Sequence, residues 1–90
     1  MKEDLEKYLG RQIVLDTRSS WVYLGTLENV TDESAILKNA DVHDSSDTST
    51  SKDLYVFESR QTGVKPNRSR VYVNLNQVIS FSLIEEIKKF

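Results

Sequence analysis

The stretch Trp21-Val-Tyr-Leu-Gly25-Thr-Leu-Glu-Asn-Val30 carries the first decision about this chain. β-branched and aromatic residues fill it, so it reads as one long strand. Trp21, Tyr23, Gly25 and Leu27 fall on one face; Val22, Leu24, Thr26, Glu28 and Val30 fall on the other. Glycine inside a strand weakens pairing, and its usual reasons are a sharp bend or the close approach of another backbone. A bend in the longest strand is what a small closed barrel requires.

Working outward, Thr31-Asp32-Glu33 reads as a turn and Ser34 to Val42 as the next strand, built around Ile36 and Leu37. Upstream, Gln12 to Thr17 is a strand rich in β-formers, closed by the polar turn Arg18-Ser19-Ser20. Before it, Lys2 to Leu9 places Leu5, Tyr8 and Leu9 on one helical stripe. Glu3 and Asp4 suit the first turn of that helix, and Gly10 suits a left-handed cap. Downstream, His43 to Lys52 is a loop dense in Ser, Thr and Asp. Asp53 to Arg60 stays open between two states. Leu54-Tyr-Val-Phe57 has strand propensity, whereas Ser or Thr at 49–51, Asp53 and Gly63 are cap and stop signals that favour a short helix. Thr62 to Arg70 is a second loop, Val71 to Asn74 a fourth strand, Leu75-Asn76-Gln77 a tight turn, and Val78 to Leu83 a fifth strand. Ser82-Leu-Ile-Glu85 has the form of a capping box, which leaves the tail as a last helix or the end of strand five.

Helix, three strands in a meander, an insertion and two more strands predict a mainly β, antiparallel, five-stranded bent barrel. The 90 residues fit one domain, 1–90, with an insertion at about 43–70. Twelve Lys and Arg against fourteen Asp and Glu leave a net charge of −2, which excludes nucleic-acid binding by bulk charge. Any such site must be local. The absence of cysteine excludes disulfides and thiolate chemistry and is compatible with a cytoplasmic location. The charged N-terminus does not suit a signal peptide, and no apolar run is long enough to span a membrane.

Two stretches resemble the Sm/LSm family, including its bacterial Hfq branch. Tyr23-Leu-Gly25-Thr-Leu27-Glu-Asn-Val30-Thr-Asp32-Glu-Ser-Ala-Ile36-Leu37-Lys38-Asn39 is similar to the first motif, an apolar residue, Gly-x-Leu, an acidic turn and an apolar strand. Val73-Asn74-Leu75-Asn76-Gln77-Val78-Ile79-Ser80-Phe81 is similar, without gaps, to the second motif, Ile-Arg-Gly-Asn-x-Val-x-x-Ile. Thr31 stands where the family's turn Asp falls, Ala35 where its loop Asn falls, and Asn74 and Leu75 replace Arg and Gly. Asn76 keeps the family type. The resemblance implies a helix followed by a bent five-stranded barrel, assembled as a homo-oligomeric ring of hexamer or heptamer type. It also implies single-stranded RNA at the pore loops, here Asp32, Asn74 and Asn76.

Strands four and five resemble those that pair between neighbours in such rings, and Tyr72, Ile79 and Phe81 could supply apolar contact. Lys65-Pro-Asn-Arg68-Ser-Arg70 holds three positive charges and no negative one, and repeated around a ring it could track phosphates. His43 among Asp41, Asp44 and Asp47 matches no metal-binding spacing and reads as a polar loop. Neither a nucleophile elbow nor a phosphate-cradling glycine loop occurs. The expected function is a non-catalytic RNA-binding ring without metal or cofactor, with no DNA and no membrane partner. The alternative is a scaffold ring that kept the fold and lost the RNA site.

Overall fold

The computed structural model describes residues 1–47 and 50–88. A helix, α1 (Lys2–Glu6), precedes three strands, β1 (Gln12–Thr17), β2 (Trp21–Val30) and β3 (Ser34–Asp44). A second helix, α2 (Lys52–Thr62), follows, then β4 (Arg68–Asn74) and β5 (Val78–Leu83), joined by a single 3-10 turn at Leu75–Gln77. All pairings are antiparallel, in the order β4-β3-β2-β1-β5.

Gly25 is where the sheet folds over. A Cβ at Gly25 would stand 3.1 Å from the Ala40 Cα and 3.2 Å from the Lys38 carbonyl oxygen. The β2–β3 register shifts beside it, between Leu24 and Thr26, and again between Leu27 and Asn29. The second shift corrects the face assignment for Val30. An extra residue in a strand reverses which side the following side chains occupy. Val30 therefore joins Leu27 in the barrel core rather than sharing a face with Val22 and Leu24.

Two apolar layers result. Leu5, Ile13, Leu15, Leu27, Leu37, Val73 and Val78 fill the barrel. Val14, Val22 and Leu24, on the opposite face of the same strands, are covered by Val56 of α2 and by Ile84. The second layer settles the state of residues 53–60. Apolar residues at alternate positions of β1 and β2 need a cover, and Val56 supplies it from a helix. Ser51 caps that helix by accepting from the Leu54 amide (3.2 Å), and Gly63 ends it at φ 92°. The cap candidate Ser49 lies outside the described residues. Lys52 holds the start of α2 down, its Nζ reaching Asp16 Oδ1 at 2.7 Å and the carbonyls of Ser19 (2.6 Å) and Thr17 (3.1 Å).

Boundaries differ from expectation at several ends. α1 stops at Glu6 and closes in tight turns through Tyr8 and Leu9, so Leu5 is buried, Tyr8 packs on the core and Leu9 is exposed. Gly10 turns the chain at φ 81°, and its amide donates to Leu27 O. β3 runs on through His43 to Asp44 because Trp21 and Val22 continue to pair with it. β4 begins at Arg68, opposite Ala40. The insertion between the strands is thus shorter than 43–70. The capping box at Ser82 does not form: Ser82 pairs in β5 with Val14, and Leu83 precedes a single 3-10 turn with no side-chain cap.

Candidate nucleic-acid interface

The β2–β3 and β4–β5 turns meet at one end of the sheet. Thr31 shapes the first. Its hydroxyl oxygen accepts from the Glu33 amide (3.2 Å) and the Ser34 amide (2.9 Å), while its own amide donates to Ser34 O (2.8 Å). This is the local side-chain-to-backbone bonding that favours Ser, Thr, Asp and Asn in turns. With Thr31 doing it, Asp32 is left at the tip with its carboxylate 90% exposed.

Asn74 shapes the second turn, its side-chain oxygen accepting from the Asn76 amide (3.2 Å). Leu75 packs against the barrel core, which anchors a position where a glycine would leave nothing to bury. The Leu75 amide donates to Glu33 O (2.8 Å), and Ser34 pairs with Asn74, so the turns are bonded to each other. Asp32, Glu33, Asn74, Leu75 and Asn76 line a shallow cleft of about 230 Å³. The three polar residues singled out in the sequence are brought together. The Asn76 side-chain oxygen accepts from Gln77 Nε2 (3.0 Å), so both asparagine carbonyl oxygens are engaged and the amide NH2 groups remain as donors.

Two cations at this end escaped the sequence reading. Lys2 of α1 places Nζ 3.0 Å from Asp32 Oδ1, and that hydrogen bond, with the carboxylate's charge, raises the lysine pKa above its ordinary value of 10.5. The contact spans thirty positions of sequence, and no local spacing announces it. Arg18, in the β1–β2 turn, donates its backbone amide to Gln77 O (2.9 Å), and its guanidinium takes no partner among the described residues.

The basic segment is elsewhere. At about 3.3 Å per residue, Arg70 lies ~13 Å and Arg68 ~20 Å along β4 from Asn74. Arg70 is held by both oxygens of Glu28 (2.7 and 2.9 Å). Arg68 donates to Asn67 O (3.1 Å). Lys65 lines a separate cleft of about 250 Å³ with Asp41, Tyr55 and Glu58.

Of the apolar contact residues, Tyr72 on β4 is 67% exposed and Ile79 on β5 is 58% exposed, and these are the two edge strands of the sheet. Phe81 points the other way, with its ring edge-on to Tyr8 at 6.1 Å. It belongs to the margin of the core.

His43 is a strand residue that stacks on Tyr55 of α2, ring centroids 3.7 Å apart. The Tyr55 hydroxyl donates to the Asp41 carboxylate, and burial together with that bond pushes the phenol pKa well up. Asn67 Nδ2 donates to Val42 O (2.9 Å) and more distantly to Asp41 Oδ1 (3.4 Å). These side chains dock the insertion onto β3. Among the described residues no group of three or more His, Asp or Glu converges to hold a metal ion, and no helix is long and apolar enough to cross a membrane.

No protein-family model and no curated protein matches the sequence. Among solved structures, the chain is similar to an Sm protein of Pyrococcus abyssii in complex with a uridine heptamer. The TM-score is 0.61 at 10% identity, covering 90% of this chain and 93% of that one. At that identity the likeness is one of architecture: this chain has the Sm fold.

Proposed function

From the Sm fold, we propose that the protein is a non-catalytic, ring-forming module that binds single-stranded RNA at its joined β2–β3 and β4–β5 turns. The observation that carries the reading is the cleft itself: two turns far apart in sequence, bonded through Leu75 and Glu33, present Asp32, Asn74 and Asn76 together. Side-chain amides and carboxylates are the groups that read exposed base edges in unpaired RNA. The amide hydrogens of Asn74 and Asn76 face carbonyl oxygens of a base, and Asp32 accepts from a ring N–H. The solved neighbour's uridine heptamer supports a pyrimidine of that pattern. Lys2 and Arg18 supply the positive charge that Asn74 and Leu75 do not. The edge strands β4 and β5 pair between copies, with Tyr72 and Ile79 in the contact.

Fluorescence anisotropy with a labelled uridine heptamer at low salt tests this, because the electrostatic contribution is then largest. Binding that weakens about tenfold in Asn76→Ala, with assembly unchanged, is the expected result. A ring with no RNA affinity at low salt supports the second reading, a scaffold ring that lost the RNA site. Its specific support is the pair of adjacent acids, Asp32 and Glu33, in the cleft.

A further inference from the structure

The cleft of about 250 Å³ between β3 and α2 is lined by groups whose hydrogens are already spent. The Tyr55 hydroxyl gives its hydrogen to Asp41 Oδ2. Ser59 donates to Tyr55 O (3.0 Å) and Thr62 to Glu58 O (2.9 Å), each bonding back to the carbonyl four residues earlier. The Gly63 amide goes to Ser59 O (2.8 Å). A hydroxyl has one hydrogen and two lone pairs, so these three side-chain oxygens keep acceptor capacity only. Two carboxylates join them, Asp41 from the sheet and Glu58 from the helix. Glu58 takes no ion-pair partner among the described residues. Asp41 is buried, and its Oδ1 accepts only from Asn67 Nδ2, at 3.4 Å. That is long for a hydrogen bond, and a buried carboxylate so thinly bonded is costly.

We propose that this cleft binds a small organic cation through its N–H hydrogens, an alkylammonium or guanidinium end, with Asp41 and Glu58 as charge partners and Tyr55, Ser59 and Thr62 as neutral acceptors. The inference rests on neither the RNA reading nor the ring. An anion meets one cationic group here, the Lys65 ammonium, against two carboxylates. A metal ion lacks its ligand set, since no group of three or more His, Asp or Glu converges among the described residues. A neutral ligand leaves the charge of Asp41 unmet. A cation with several N–H donors satisfies charge and lone pairs together, and hydrogen bonds to ionised groups are about twice as strong as neutral ones. The cleft is smaller than the ~300–1,000 Å³ of drug-sized sites, which limits the occupant to a charged head and a few carbons. Because Asp41 and Glu58 sit on different elements, an occupant clamps α2 onto β3. Lys65 borders the same space without an ion-pair partner among the described residues, so its ammonium opposes the ligand's charge.

Amide NMR titrations of the full chain test the site with the chlorides of n-butylammonium, guanidinium, tetramethylammonium and calcium. The first two should give saturable shifts at Asp41, Glu58, Ser59 and Thr62, with a Kd on the order of 1 mM. Tetramethylammonium carries the charge without N–H and should give none. E58Q should weaken n-butylammonium binding about tenfold, and K65Q should strengthen it about threefold. Both positions are exposed, and circular dichroism of each variant should match the parent. Equal shifts with tetramethylammonium, a calcium response in place of the amine response, unchanged affinity in E58Q, or no saturable shift at all overturns the inference. N-acetyl-lysinamide set against n-butylammonium separates the sources of the cation. Tighter binding of the former supports the site with a polypeptide side chain as occupant, and tighter binding of the latter supports it with a free amine.

Discussion

Lys2 Nζ stands 3.0 Å from Asp32 Oδ1, so the N-terminal helix is tied by charge to the tip of the β2–β3 turn. The tie neutralises one of two acids at the cleft where a polyanion is proposed to bind. Lys2→Glu should abolish low-salt anisotropy with a uridine heptamer while leaving the thermal midpoint unchanged, since exposed ion pairs add little stability. Unaltered RNA affinity in that variant would show that Lys2 plays no part. A raised lysine pKa means the tie is complete below 10.5 and lost only as pH climbs beyond it; nitrogen-detected NMR of the Lys2 amine should place its titration above that value.

Gly25 lies where the β2 and β3 backbones come within reach of a single added methyl. Gly25→Ala should destabilise by about 1 kcal/mol and Gly25→Val by ~3 kcal/mol, because strands this close relax only by giving up register. Urea unfolding of the two variants checks the order. Equal stability of Gly25→Val and the parent would remove close approach as the reason for this glycine.

Tyr55 and Asp41 join the insertion to the barrel. Asp41 is 7% exposed, and its partners are the Tyr55 hydroxyl and Asn67. Tyr55→Phe keeps the ring stack on His43 and deletes one donor to a buried carboxylate, a loss of about 1–3 kcal/mol. Hydrogen exchange should show the loss first in α2, with β1 to β3 protected as before.

Glu28 and Arg70 form a two-pronged pair across the sheet, and the arginine's hydrogen bonds hold the Glu28 carboxyl below its ordinary 4.5. A depressed carboxyl pKa gives stability that is present above 4.5 and fades as pH falls through the lower folded value. Carbon-detected NMR should find the Glu28 midpoint below 4.5, and Arg70→Gln should return it to the ordinary value.

Much of this molecule is local and therefore visible in one dimension. The strands are legible because alternation at Val22, Tyr23, Leu24 and the β-formers at 13–15 and 36–37 record their own burial. Gly25 announces a bend, and Asp32, Asn74 and Asn76 declare turns, because each residue type has a backbone preference it carries everywhere. What the chain alone left undecided depends on partners distant in sequence. Residues 53–60 could be strand or helix until the outer face of Val14, Val22 and Leu24 required a cover. Val30 changed sides through a bulge that only pairing with β3 creates. The cation at Asp32 arrived from Lys2, and of the basic run only Arg68 and Arg70 lie on β4, away from the cleft, with Lys65 before the strand in a separate one. Propensity and period are short-range properties of a polypeptide, whereas register and ion pairing are fixed by whichever long-range contacts the packed core brings within a few ångströms.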